Sequence, residues 1–215
     1  MKTNPEAEAP VQHRMRPIVA LFVALTAPTL FAADCQNPAL RDEILGMVTV
    51  DQKARPQPGH MMTEADTAEM LRVDRLHAKR VREIIGAFGW PGRSLVGTDG
   101  AQGIWLLVQH FEISDQDEYL PMMEAAVKKG EADGKYYAYL LDRVRVRHGQ
   151  KQLYGTQYQI NAAGEWVREA IEDPSHLDER RKSVGMLPLA DFEKTIPNVK
   201  IVPNPSSAAA VTPSS

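Results

Sequence analysis

Ala101-Gln102-Gly103-Ile104-Trp105-Leu106-Leu107-Val108-Gln109-His110-Phe111 decides the fold. Ile104 to Val108 and Phe111 are apolar at nearly every position, so a helix over this run has no polar face. Such a helix belongs in the middle of a domain. A buried strand is the competing reading, because the run is short. We take the helix, and the neighbouring segments then arrange themselves around it.

Upstream, residues 91–100 read as a loop. Thr63 can cap a helix that runs to about Phe88, with Glu64 and Asp66 in its first turn, where the helix dipole favours acids. Gly89 and Pro91 end it. Residues 52–62 carry prolines and a glycine and read as a loop. A shorter helix over 38–48 has Leu40, Ile44, Leu45 and Val48 on one face. Downstream, a helix over 120–129 closes at Gly130. Asp133 can cap another over 135–147, whose core face is Tyr137, Leu140, Leu141 and Val144. After Gly149 the pattern changes. Residues 152–160 alternate, 161–164 form a turn, and 166–171 supply a return strand. One hairpin is marginal alone, so it should pack on the helices. Short helices over 176–186 and 190–196 close the domain. From Pro197 onward the chain has little to bury and reads as disordered. The expected fold is mainly α: one compact multi-helix domain over 34–196 with a β-hairpin near its C-terminal end.

The 215 residues fit one domain plus extensions. A net charge of −3 argues against nucleic-acid binding, which needs a basic surface. Residues 18–30 are apolar and uncharged, follow Arg14 and Arg16, and lead into Phe31-Ala32-Ala33. That is the pattern of an export signal over 1–33. Glu6 and Glu8 disagree with a basic leader, and translation from Met15 would remove them. The run is too short to span a bilayer comfortably, so no stable span is expected after cleavage. The expected location is periplasmic or secreted. Cys35 is the single cysteine, so an exported chain has no internal disulfide.

Several polar residues stand where a core would place apolar ones. Met70, Asp74, His77, Val81, Ile84 and Phe88 share one helical stripe. Asp74 and His77 therefore face the interior or line its solvated edge. Gln109 and His110 end the most apolar segment and need buried partners or a wet cleft. His110 is a candidate general base, since histidine titrates near neutral pH. A satisfied structural histidine is the plainer reading. No His-x-x-x-His or Glu-x-x-His pair occurs at ligand spacing, so no metal site is assigned. Asp142 and Arg143 follow an apolar pair. Asp142 could orient His110 as a carboxylate orients a catalytic imidazole, or form a structural ion pair. Gly155 leaves room for a ligand or for close backbone approach. Gln152, Tyr154 and Gln157 either hydrogen-bond a substrate or fasten the hairpin.

The ordered set Asp51-Gln52…Arg55, Asp74, Gly89-Trp90-Pro91, Val96-Gly97, Trp105…Gln109-His110, Ala138-Tyr139-Leu140…Asp142-Arg143-Val144, Gln152…Tyr154-Gly155-Thr156-Gln157 and Arg180-Arg181…Val184-Gly185 resembles a bacterial family catalogued as domain of unknown function 6624. The resemblance covers about 40–192. It implies no activity, substrate or cofactor. It also implies asparagine as the usual residue where this chain has His77, which counts against a metal site built on His77.

Three functions are then in view. The first is an exported domain binding a small molecule or peptide in a pocket of Asp74, His77, His110, Asp142, Arg143, Gln152, Tyr154 and Gln157. The second is a hydrolase with His110 as base, Asp142 orienting it and Arg143 or Gln157 holding substrate. The third is a purely structural polar network. No nucleophile or cofactor motif is recognisable and the oligomeric state is open, so binding is the expectation.

Overall fold

The computed structural model describes residues 18–19, 35–56, 61–196 and 200–202. Seven helices make up most of them: α1 (Pro38–Ala54), α2 (Glu64–Phe88), α3 (Arg93–Val108), α4 (Ile113–Lys128), α5 (Gly134–Arg147), α6 (Leu177–Ser183) and α7 (Leu189–Lys194). Four short strands, β1 (Ile18–Val19), β2 (Tyr158–Ile160), β3 (Trp166–Arg168) and β4 (Ile201–Val202), form one sheet in the order β1-β2-β3-β4. The first two pairings are antiparallel and β3–β4 is parallel. The fold is mainly helical, with the sheet near the C-terminal end. The leader expected over 1–33 lies outside the described residues, apart from the two of β1.

The apolar run at 101–111 is helical, and it is central. Ile104, Leu107 and Val108 have no exposed surface. α3 packs most closely on α1. Gly103 permits this approach: a Cβ there would stand 2.9 Å from Ile44 Cγ2. On another side Trp105 stacks on Tyr136 of α5 with ring centroids 4.2 Å apart. Local signals set the ends. Thr63 and Asp66 close a capping box at the start of α2, and Gly89 ends that helix at φ +70°. Asp133 accepts from the Lys135 amide at 3.0 Å to start α5.

Several boundaries differ from expectation for identifiable reasons. Residues 93–96 form a helical turn where a loop is expected, and Gly97 (φ 74°, ψ 171°) leaves the helical region and separates that turn from the run that follows, so α3 is two helical stretches meeting at Gly97. α4 starts at Ile113 and carries Pro121 inside it, whereas a proline is expected in a first turn. α1 runs one and a half turns past Val48, and its last turn is held by Arg55 and Asp51. Residues 152–157 are a loop and not a strand; only Gln152 makes a bridge, with Ile171. Ile201 and Val202 pair with β3, in a tail expected to be unstructured. No helix of the described residues is long and apolar enough to cross a membrane.

Candidate functional site

The last turn of α1 carries Asp51, and Arg55 follows four residues on as the residue that caps the helix. Opposite stands Asp74 of α2, and the turn after α3 delivers His110. The Arg55 guanidinium bonds both carboxylates through Nη2. It also donates from Nη1 to Asp74 Oδ2 at 3.1 Å and from Nε to Asp51 Oδ2 at 3.4 Å. Asp51 is only 1% exposed. Its Oδ1 lies 3.1 Å from His110 Nδ1. An ionised carboxylate can only accept, so Nδ1 carries the ring proton and Nε2 keeps a lone pair.

The electrostatics agree with that assignment. Burial alone would raise the Asp51 carboxyl, but hydrogen bonds from His110 and Arg55 more than offset it and hold the carboxyl at about 2. Burial lowers the His110 pKa, against the opposing pull of Asp51. His110 is therefore a neutral imidazole at neutral pH, and Nε2 has no protein partner among the described residues. Its side chain is 11% exposed, so the ring meets solvent at one edge. His77 lies one turn along α2 from Asp74. It is buried, its pKa is lowered chiefly by burial, and Nδ1 has no partner among the described residues.

Oxygens of Asp51 and Asp74 and a ring nitrogen of His110 lie within 4.8 Å of one another. A metal ion accepts such a set. Here the Arg55 guanidinium already joins both carboxylates, so a metal would have to displace it.

Asp142 is elsewhere. Its carboxylate accepts from the amides of Leu153 (2.7 Å), Tyr154 and Thr156 (3.1 Å each) and from the Thr156 hydroxyl (2.9 Å). The expectation that Asp142 orients His110 is therefore corrected: Asp51 does so. The reason is the loop, whose amides have no strand partner and take Asp142 as acceptor instead. Gln152 and Gln157 belong to the same structure. Gln152 Nε2 donates to the Gln157 carbonyl at 3.2 Å and the Glu169 carbonyl at 2.8 Å, and its Oε1 accepts from the Gln157 amide. Gln157 Nε2 donates to Thr156 Oγ1 at 3.0 Å. The Tyr154 carbonyl accepts from Arg181 Nη1 at 2.6 Å, and Arg180 Nε donates to the Leu153 carbonyl at 2.9 Å. The block 152–157 is thus a knot fastened from both sides.

Of the residues singled out, Asp74 and His110 share a site, with His77 beside Asp74. Arg143 is joined to it through Gln109, whose Oε1 accepts from Arg143 Nη2 at 3.2 Å. Asp142, Gln152, Tyr154 and Gln157 form the loop knot. Reading by periodicity missed Asp51 and Arg55, since it stopped the first helix at Val48. A signal was present: Ile44, Met47, Asp51 and Arg55 continue one stripe at spacings of three and four. The family resemblance did include both.

A model of a family described as of unknown function (DUF6624) matches residues 38–200, the span that holds every residue of the cluster. No curated protein and no solved structure matches the chain.

Proposed function

The chain belongs to that family of unknown function, and from the geometry of its site we propose that it binds a small polar molecule or peptide at the cluster around His110. The observation that carries this reading is the Asp51–His110 pair, which leaves the Nε2 lone pair of a neutral, partly exposed imidazole without a partner among the described residues. A ligand hydroxyl or amide N–H would donate to Nε2. Asp74 and Arg55 would stand at its flank.

A second reading follows from the same pair. A carboxylate 3.1 Å from Nδ1 is the orienting half of a general base, so His110 could activate water for hydrolysis, with Asp51 as the positioning residue. Incubating the purified chain with a cell extract, washing it and analysing what it retains by mass spectrometry tests both. Wild type is expected to keep a polar compound that His110→Gln loses. Equal retention by the two proteins rejects binding at His110. If the retained compound is consumed, turnover should drop by about 10²–10⁴ in His110→Gln, the usual contribution of a general base.

Export belongs to the proposal too, resting on the leader pattern of the sequence. Cleavage after Ala33 would take β1 off the sheet. N-terminal sequencing of the fractionated protein checks it, and an uncleaved cytosolic chain refutes it.

A further inference from the structure

Among the described residues three arginines are buried, and they are not alike. Arg55 is matched by two carboxylates. Arg181 has no exposed surface and a sealed Nη2, but it donates to two carbonyls and lies 5.0 Å over the Phe192 ring. Arg143 is 9% exposed and has far less. No carboxylate among the described residues pairs with it. Its one hydrogen bond goes from Nη2 to the neutral Gln109 amide oxygen at 3.2 Å, and its Nε is sealed with no partner. Burial, with Arg147 adding, lowers its pKa to about 10, which leaves it protonated at neutral pH. A buried charge without a counter-charge is among the most costly features a fold can keep.

Arg143 also stands next to the site already described. Its partner Gln109 precedes His110 in the chain, and the charge of Arg143 acts on the His110 ring. Arg55, the other cation there, is committed to Asp51 and Asp74.

We propose that Arg143 is the anchor for a carboxylate group of the ligand, held beside His110, so that the ligand class is small monoanionic carboxylates. This rests on the reading that the ligand binds at His110. A single guanidinium offers one positive charge and a forked pair of donors, which suits one carboxylate. A phosphate dianion would bring a second negative charge towards Asp51 and Asp74, which already share the Arg55 guanidinium.

The test is thermal melting of the full chain at pH 7 in sodium acetate, sodium chloride or sodium phosphate of equal ionic strength. Acetate is expected to raise the melting temperature saturably, while chloride and phosphate give only the unsaturable, Arg143-independent change of a bulk salt. Arg143→Met abolishes that response. Arg143→Lys keeps the charge without the fork and weakens the apparent acetate affinity about tenfold. The proposal is overturned by a saturable acetate response equal in wild type and Arg143→Met, by no saturable response in wild type, or by a larger saturable response to phosphate; where Arg143→Met does not fold, an Arg143→Lys chain with the wild-type acetate affinity overturns it. Absence of an acetate effect in the wild-type chain, while a compound is still retained at His110, removes this inference alone. A retained compound that ignores His110→Gln removes the reading beneath it.

Discussion

Asp51 accepts hydrogen bonds from His110, Arg55 and Gln52 while almost wholly removed from water. Those donors keep it ionised, and its depressed pKa makes stability depend on pH. A carboxyl held at about 2 rather than the usual 3.8 adds stability that is present above about pH 4 and lost as pH falls through 2. The shift corresponds to about 2 kcal/mol. Asp51→Asn should therefore be less stable by about 2 kcal/mol at pH 7 and should lose less between pH 4 and pH 2. Urea titrations at the three pH values measure this. His110 acts in the same direction: its lowered pKa means that stability is complete above 6.5 and declines below it, as the unfolded chain takes up a proton that the buried ring refuses. Nitrogen-15 spectra of the imidazole at pH 7 should show the proton on Nδ1, and Asp51→Asn should release that preference. Sequence reading found His110 because a polar residue ends an apolar run. It could not find His110's partner, because Asp51 lies 59 residues away on another helix.

Among the elements, the α1–α3 contact matters most to the site, because one helix carries Asp51 and the other leads to His110. Gly103→Ala puts a methyl group 2.9 Å from Ile44 Cγ2, so the helices must separate. A cost of about 1–3 kcal/mol is expected, with a weaker Asp51–His110 bond. Denaturation and the His110 titration read the two effects separately. The second decisive element is the loop 152–157. Asp142→Ala strands three amides and a hydroxyl, and should cost about 3–5 kcal/mol in denaturant melts while leaving ligand retention at His110 in place wherever the chain stays folded. This loop also shows how far pattern reaches. The starts of α2 and α5 were readable from Thr63 and Asp133, whose capping bonds are local. The alternation of 152–160 looked like a strand, yet only β2 is one. The remaining amides found a buried carboxylate from α5, a partner that no periodicity reports.

At the scale of the whole molecule, the cluster draws on α1, α2 and the turn after α3, and Arg143 adds α5. No local segment contains it. The helical class and the C-terminal position of the hairpin followed from composition and period. The meeting of these four elements depends on packing, which Gly103, Ile104 and Trp105 direct from the centre. The spans that the polar contacts bridge differ greatly. Asp142 reaches its loop donors across 11 to 14 residues, whereas His110 reaches Asp51 across 59. Closing a longer span costs more chain entropy and comes later along the route to the native state. A chain returning from denaturant should therefore recover its helices and the loop before it recovers the imidazole pair. In refolding experiments, ligand capture should lag behind far-ultraviolet circular dichroism, and a half-assembled intermediate would be well ordered yet unable to bind.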